Sequence, residues 1–218
     1  AGVRLLVSAG PTFEDIDPVR FIGNRSSGKM GFAIAAVAAE RGAEVVLVAG
    51  PVHMATPAGV RRIDVRSAAQ MHDAVMAALP CDVYIGAAAV ADFTPLAIAS
   101  NKLKKQPGQD TLLLELVKTR DILAEVAAHA ARPRLVVGFA AETDNVAGYA
   151  RGKLERKRLD LICANRVGIA GGGFESDDNA LLVIDRDGER ALGPASKTTL
   201  AGELLDIVVS RLSARGAG

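Results

Sequence analysis

Gly23-Asn24-Arg25-Ser26-Ser27-Gly28-Lys29-Met30-Gly31 joins a Pro-rich loop to an Ala-rich segment that runs to Arg41. Its spacing nearly matches the nucleoside-triphosphate P-loop, in which a Gly and a Gly-Lys pair flank four residues. That motif next requires Ser or Thr, whose hydroxyl binds magnesium; here the residue is Met30. A P-loop also leaves its strand directly, whereas Pro11 to Ile22 separates this stretch from the first apolar run. The P-loop fold is therefore excluded. What remains is a helix start with glycines, hydroxyls, an amide and two cations. Backbone N–H groups point outward there and the helix dipole favours an anion. Two readings stay open: a loop that holds a phosphate, and a Gly-Ser loop that only caps the helix through Ser26 or Ser27.

Outward from this stretch the chain alternates apolar runs and helices. Val3 to Val7 reads as a buried first strand ending in the turn Ser8-Ala9-Gly10-Pro11-Thr12. Phe13 to Ile22, acidic and Pro-containing, is expected to be loop. Gly31 to Arg41 is apolar on nearly every side, a buried helix ended by Gly42. Strands follow at Glu44 to Ala49 and Val60 to Val65, and Ser67 is placed to cap a helix from Ala68 to Leu79. Val83 to Ile85 is a further strand opening into Gly86-Ala87-Ala88-Ala89-Val90-Ala91-Asp92-Phe93. Strand, helix, strand, strand, helix, strand is the order of an α/β, Rossmann-like doubly wound, mostly parallel sheet. Ligands of such sheets bind beyond the carboxyl ends of the strands. The small residues Gly86 to Ala89 admit a ligand close to the backbone, or serve tight packing alone.

The rhythm breaks at Asn101-Lys102-Leu103-Lys104-Lys105-Gln106-Pro107-Gly108-Gln109-Asp110, which is basic and turn-rich, with a strand expected over Leu112 to Val117. About 94–118 therefore reads as a flap or β-arm excursion, its lysines either functional or a solvated face. A helix is expected from Thr119-Arg120-Asp121 to about Ala131, a strand over Leu135 to Phe139, a helix from Val146 to Arg158, and a strand over Leu159 to Ala164. Lys153 and Lys157, four apart, share a helix face and suit a polyphosphate or solvent. Gly171-Gly172-Gly173 reads as a flexible loop. Ala180 to Ile184 and Arg190 to Leu192 form a hairpin turning at Asp187-Gly188, and Lys197 to Leu212 is a closing helix with a fraying tail. With no repeat or linker, residues 1–218 are expected to be one domain.

Composition narrows the function. Lys and Arg number 26 against 25 Asp and Glu, and aromatics are few, which argues against nucleic-acid binding. No apolar run reaches the roughly 18 residues of a membrane span. The start lacks a signal peptide's form, and Cys81 and Cys163 lie in apolar surroundings, so reduced cysteines and a cytoplasmic location are expected. There is no nucleophile elbow and no cysteine pair for zinc. His72 and His129 fall in helices, with solvent-facing or capping roles expected, and His53 lies apart from both. The Rossmann glycine fingerprint is absent after the first strand. Glycines, lysines, amides and one acid suit phosphoryl or nucleotidyl transfer, where positioning and charge stabilisation dominate. A dinucleotide-binding oxidoreductase and a non-catalytic nucleotide module stay open beside it.

Ser8 to Thr12, Asp17-Pro18-Val19-Arg20, Asn24 with Ser26 to Gly31, Ala88 to Asp92, Lys102 to Lys105, Gly138-Phe139-Ala140-Ala141-Glu142-Thr143 and Leu161 to Asn165 recur together, in this order, in one family. On them the chain resembles bacterial phosphopantothenoylcysteine synthetases of coenzyme A biosynthesis, along nearly its whole length. The resemblance implies a ligase that joins 4′-phosphopantothenate to L-cysteine with CTP, through an acyl-cytidylate, releasing pyrophosphate and CMP. The residues themselves leave CTP and ATP open. It also implies Mg2+ held mainly through the triphosphate, with no protein metal ligands assigned. A homodimer clasped by the excursion is implied, as is a parent protein fused to a flavin-dependent decarboxylase, of which this chain would be the isolated synthetase half.

The resemblance assigns roles residue by residue. Gly10, Gly86, Ala87, Ala88, Asp92, Lys102, Arg120, Asp121, Ile122, Leu123, Phe139, Lys153 and Lys157 would bind the nucleotide. Arg20, Asn24, Ser26, Ser27, Gly28, Gly31, Ala89 and Asn165 would bind the substrate, with Ser26, Ser27, Gly28 and Gly31 around its phosphate. Asn24 and Lys102 would be catalytic, Asn24 on the acyl-cytidylate and Lys102 from the flap. Family members often carry Pro where this chain has Arg120.

Overall fold

In the computed structural model, which describes residues 2–105, 107–108, 110–142, 145–166 and 178–216, the apolar runs pair into a large sheet with helices on both faces. Along the chain run β1 (Arg4–Ala9), β2 (Phe13–Asp15), β3 (Phe21–Gly23), α1 (Lys29–Glu40), β4 (Glu44–Ala49), β5 (Val60–Asp64), α2 (Ala68–Ala77), β6 (Val83–Gly86), β7 (Phe93–Pro95), β8 (Leu116–Lys118), α3 (Ile122–Ala128), β9 (Leu135–Glu142), α4 (Val146–Arg156), β10 (Leu161–Arg166), β11 (Asp178–Ile184), β12 (Glu189–Ser196) and α5 (Lys197–Gly216).

The eight-stranded sheet has the order β12-β11-β10-β9-β6-β1-β4-β5. From β5 to β10 all neighbours are parallel, and β11 and β12 close that edge antiparallel. From β1 the chain steps outward through β4 to β5, then returns to the other side of β1 as β6. The strand order thus reverses between β1 and β6, which opens a crevice at their carboxyl ends. Side-chain alternation builds the layers. Leu5 and Val7 of β1 pack with Phe32 and Ile34 of α1 and Leu200 and Leu204 of α5. Leu6 faces the opposite core, with Met71 of α2, Val126 of α3 and Leu154 of α4. Helix α1 lies so close to the sheet that a Cβ on Gly31 would stand 2.5 Å from that of Ala9.

Several expectations change at this level. Phe13 to Ile22 is not simply loop: β2 and β3 form an antiparallel hairpin. The acidic cluster that suggested a loop makes the turn, since Asp17 Oδ1 accepts from Val19 N and Arg20 N, both at 2.8 Å. Phe13 and Phe21 then stack across the pair, with ring centroids 3.9 Å apart. The strand expected over Leu112 to Val117 shrinks to β8, which among the described residues pairs with β7 alone, and Leu113 ahead of it is 93% exposed. Helix α3 spans only Ile122–Ala128, because Asp121 caps its start through Ala124 N at 3.1 Å and His129 is already extended. The N-cap position of α1 is held not by Ser26 or Ser27 but by Gly28, at φ 74°, a left-handed conformation that glycine adopts readily. Ser67 does cap α2, in a reciprocal box with Gln70. Helix α5 continues to Gly216, past the expected fraying point. The Gly171 to Gly173 loop and the last two residues of the tail lie outside the described residues.

Candidate active site

Beyond the carboxyl ends of β1 and β6 lies a cleft of about 490 Å³. Ser8 and Tyr84 form its floor, their hydroxyl oxygens 3.0 Å apart. Burial pushes the Tyr84 phenol well above its ordinary range, so it stays neutral and able to donate. Gly86, Ala88 and Asp92 line one side, and Arg120, Asp121, Ile122 and Leu123 at the start of α3 line the other. Phe139 of β9, Lys153 of α4 and Lys157, the C-cap just past the end of α4, line it as well. Lys157 Nζ lies 2.8 and 2.7 Å from the two Asp121 carboxylate oxygens, which ties α4 to the cap of α3.

Arg120 is held from beneath. Its Nε and Nη2 donate to the two Glu125 oxygens at 3.0 and 2.5 Å. Those hydrogen bonds hold the Glu125 carboxyl below its ordinary value, against the opposing effect of desolvation. Glu125 in turn sits 3.1 Å from His72 Nε2. His72 is neither solvent-facing nor a cap: it is buried on α2, with Nδ1 3.0 Å from Asp73 Oδ1 and 3.4 Å from Arg120 Nη1. His129 does cap, its Nδ1 accepting from Ala131 N at 3.0 Å.

A second cleft, of about 460 Å³, opens at the start of α1. It is lined by Asn24, Ser26, Ser27, Gly28, Gly31, Ala87, Ala89 and Asn165, together with Arg25, Lys29 and the buried Lys197. The two clefts share Ala88, Val90, Asp92, Phe139 and Lys153. Much of this partition is the loop after β6, which is laced to the turn after β1. Ala87 N donates to Ser8 O and Ala89 N to Gly10 O, both at 2.9 Å, and Ala91 N donates to Thr12 Oγ1 at 3.0 Å. Thr119 Oγ1 donates to Ala91 O at 2.6 Å from the other side. Asn24 Nδ2 reaches the same loop, 3.0 Å from Val90 O and 3.4 Å from Ala89 O. Two acceptors on its nitrogen leave the Asn24 carbonyl oxygen as the atom it can offer to a ligand.

The residues expected to bind a nucleotide thus gather in the first cleft, save three. Ala87 lines the second cleft, Gly10 is buried in the turn that supports the partition, and Lys102 is exposed on the excursion, lining neither cleft. Of the residues expected to bind substrate, only Arg20 lies outside the second cleft. Its Nη2 donates to Asp17 Oδ2 at 2.5 Å and to Leu103 O at 2.8 Å, joining the β2–β3 hairpin to the excursion. Asp17 also accepts from Leu103 N at 3.0 Å, and the Arg20 hydrogen bonds hold its carboxyl well below the usual carboxylate range. Sequence reasoning missed Ser8, Tyr84, Lys118 and Thr119 in the first cleft and Asn179 and Lys197 in the second. Ser8 was findable as the last polar residue of a strand pointing at the crevice; Tyr84, inside an apolar run, carried no such signal.

Residues 1–212 match the model of the DNA/pantothenate metabolism flavoprotein C-terminal domain. The chain belongs to this family. It is 53% identical over 208 residues to the coenzyme A biosynthesis bifunctional protein CoaBC of Vibrio cholerae serotype O1, covering 95% of this chain and 52% of that protein. It is 51% identical over 211 residues to the CoaBC protein of Escherichia coli K12, covering 96% of this chain and 52% of that protein. The chain therefore spans about half the length of these curated relatives. The crystal structure of the C-terminal domain of a CoaBC protein superimposes with a TM-score of 0.83 at 39% identity, covering 98% of this chain and 97% of that one. The α/β sheet with its parallel centre is thus the fold of this flavoprotein C-terminal domain family. No described helix is long and apolar enough to cross a membrane.

Proposed function

We propose that this chain is the ligase half of a coenzyme A biosynthesis protein and condenses 4′-phosphopantothenate with L-cysteine at the expense of CTP. The supporting observation is the pair of clefts meeting at Asp92, Phe139 and Lys153. A reaction that activates a carboxylate with a nucleotide and then passes it to an amine needs two ligands to meet at one wall. The similarity to the coenzyme A biosynthesis proteins CoaBC supports a substrate of that pathway.

In the proposed chemistry the first cleft holds the triphosphate against Lys153, Lys157 and Arg120. The second holds phosphopantothenate, with its phosphate against Ser26, Ser27 and the start of α1 and its carboxylate toward the partition. That carboxylate attacks the α-phosphate and pyrophosphate leaves. The cationic cleft stabilises the leaving charge. The Asn24 carbonyl then accepts from the cysteine amine and holds it for attack on the acyl-cytidylate. Mg2+ suits a cleft of this kind, because it binds triphosphate oxygens with few protein carboxylates. Asp121 is engaged by Lys157, which leaves Asp92 as the cleft carboxylate to approach it. When bound, the ion neutralises charge on the departing pyrophosphate. Lys102 belongs to this proposal as a flap cation. A homodimer does too, since Leu96, Ile98, Leu112 and Leu113 stand exposed on the excursion. The test is pyrophosphate release with each of the four nucleoside triphosphates, with and without phosphopantothenate and cysteine. Strong preference for CTP, dependent on phosphopantothenate, is expected; equal turnover of CTP and ATP would sink the nucleotide assignment.

A further inference from the structure

We propose that His72 and Glu125 form a clamp that sets the Arg120 guanidinium to receive the polyphosphate of a nucleotide. The proposal deepens the function above and rests on its reading of the first cleft.

A guanidinium carries five N–H donors in a planar fork. Glu125 takes two of them, on Nε and Nη2. A third, on Nη1, lies 3.4 Å from His72 Nδ1, so two remain, one on each Nη, and 63% of the side chain is exposed at a cleft that also holds Lys153 and Lys157. Such an arm has many rotamers, and an alternative lies close by. Arg120 also borders a hollow of about 430 Å³ lined by Glu14 and Asp15, together with Arg66, which pairs with Asp15 at 2.7 Å. Glu125 prevents that excursion only if its own carboxylate is fixed. His72 fixes it: the imidazole is buried on α2 and bridges Asp73 on its own helix to Glu125 on α3. A buried histidine needs hydrogen-bond partners, but filling a core does not require aiming the carboxylate that grips a cleft arginine. His72 and Glu125 are therefore positioning residues, and Arg120 is the one that touches the ligand.

Calorimetric titration with inorganic triphosphate tests this without any turnover. Wild-type protein is compared with Arg120→Ala, His72→Ala, the double variant, and His72→Gln, which keeps a side-chain N–H donor. Arg120→Ala and His72→Ala should each weaken binding about tenfold or more, as loss of a charged contact does. The double variant should bind no more weakly than Arg120→Ala, because His72 acts only through that arginine. His72→Gln should recover most of the affinity. If His72→Ala fails to fold by circular dichroism, Glu125→Gln, one-third exposed at the surface, takes its place in the cycle. Absence of triphosphate binding to wild-type protein, wild-type affinity in Arg120→Ala, or losses that multiply in the double variant would each overturn the clamp. Pyrophosphate release by wild-type protein is read separately. A protein that binds triphosphate through the clamp but releases no pyrophosphate loses the ligase assignment and keeps the clamp; the opposite pair of results does the reverse.

Discussion

Asn24 is anchored by its nitrogen to the carbonyls of Ala89 and Val90. Asn24→Asp would set a carboxylate oxygen against those carbonyls, where no donor remains, and would turn the side chain away from the partition. The first cleft does not contain Asn24, so activation should survive. Acyl-cytidylate is expected to accumulate when CTP, magnesium and phosphopantothenate are mixed, and to persist after cysteine is added. Mass spectrometry follows it; clearance at the wild-type rate would remove Asn24 from the second step. At this scale much of the site was legible, because glycines, lysines and serines cluster in short loops. What stayed hidden was contact between distant segments. The Ser8–Tyr84 hydroxyl pair and the burial of His72 depend on which strand lies beside which, and no local spacing encodes that.

At the level of elements, α1 positions the second cleft, and its distance from β1 is set by the missing side chain of Gly31. Gly31→Ala would force the helix start away from Ala9 and with it the Ser26 to Gly28 loop. Overpacking of this kind costs roughly 1–3 kcal/mol, read as a lower urea midpoint with unchanged slope. The KM for phosphopantothenate should rise while that for CTP moves little; an unchanged KM for phosphopantothenate would detach the loop from substrate binding. The strands and helices of the main sheet were legible because their apolar runs are long and their ends carry glycine or a capping Ser or Asp. The β2–β3 hairpin was not, since three-residue strands leave no periodicity. Nor was the brevity of β8, which among the described residues has β7 as its one partner strand.

Over the whole molecule, the hairpin and the excursion are joined through Asp17, which gathers Val19 N, Arg20 and Leu103 N. Its folded carboxyl titrates below the unfolded value of about 3.9. The stabilisation it contributes is thus complete above about pH 4 and declines as pH falls through the acid range. Asp17→Asn should be less stable than wild type at pH 6, and the gap between their urea midpoints should narrow below about pH 4. A gap independent of pH would show that the ionised carboxylate is not the source. The doubly wound architecture and the hairpin at its edge were legible as a rhythm of elements and an Asp-Gly turn, but the order of the strands and the lacing of the excursion to the hairpin were not, the latter because it runs through the backbone of Leu103. The partition between the clefts carries a thermodynamic consequence. Two ligands that press on the same loop from opposite sides cannot bind independently, and linkage makes their influence reciprocal. Whatever factor a non-hydrolysable CTP analogue applies to the affinity for phosphopantothenate, phosphopantothenate must return to the analogue. Paired titrations should give that common factor, and a value of one would mean the wall is rigid enough to isolate its two faces.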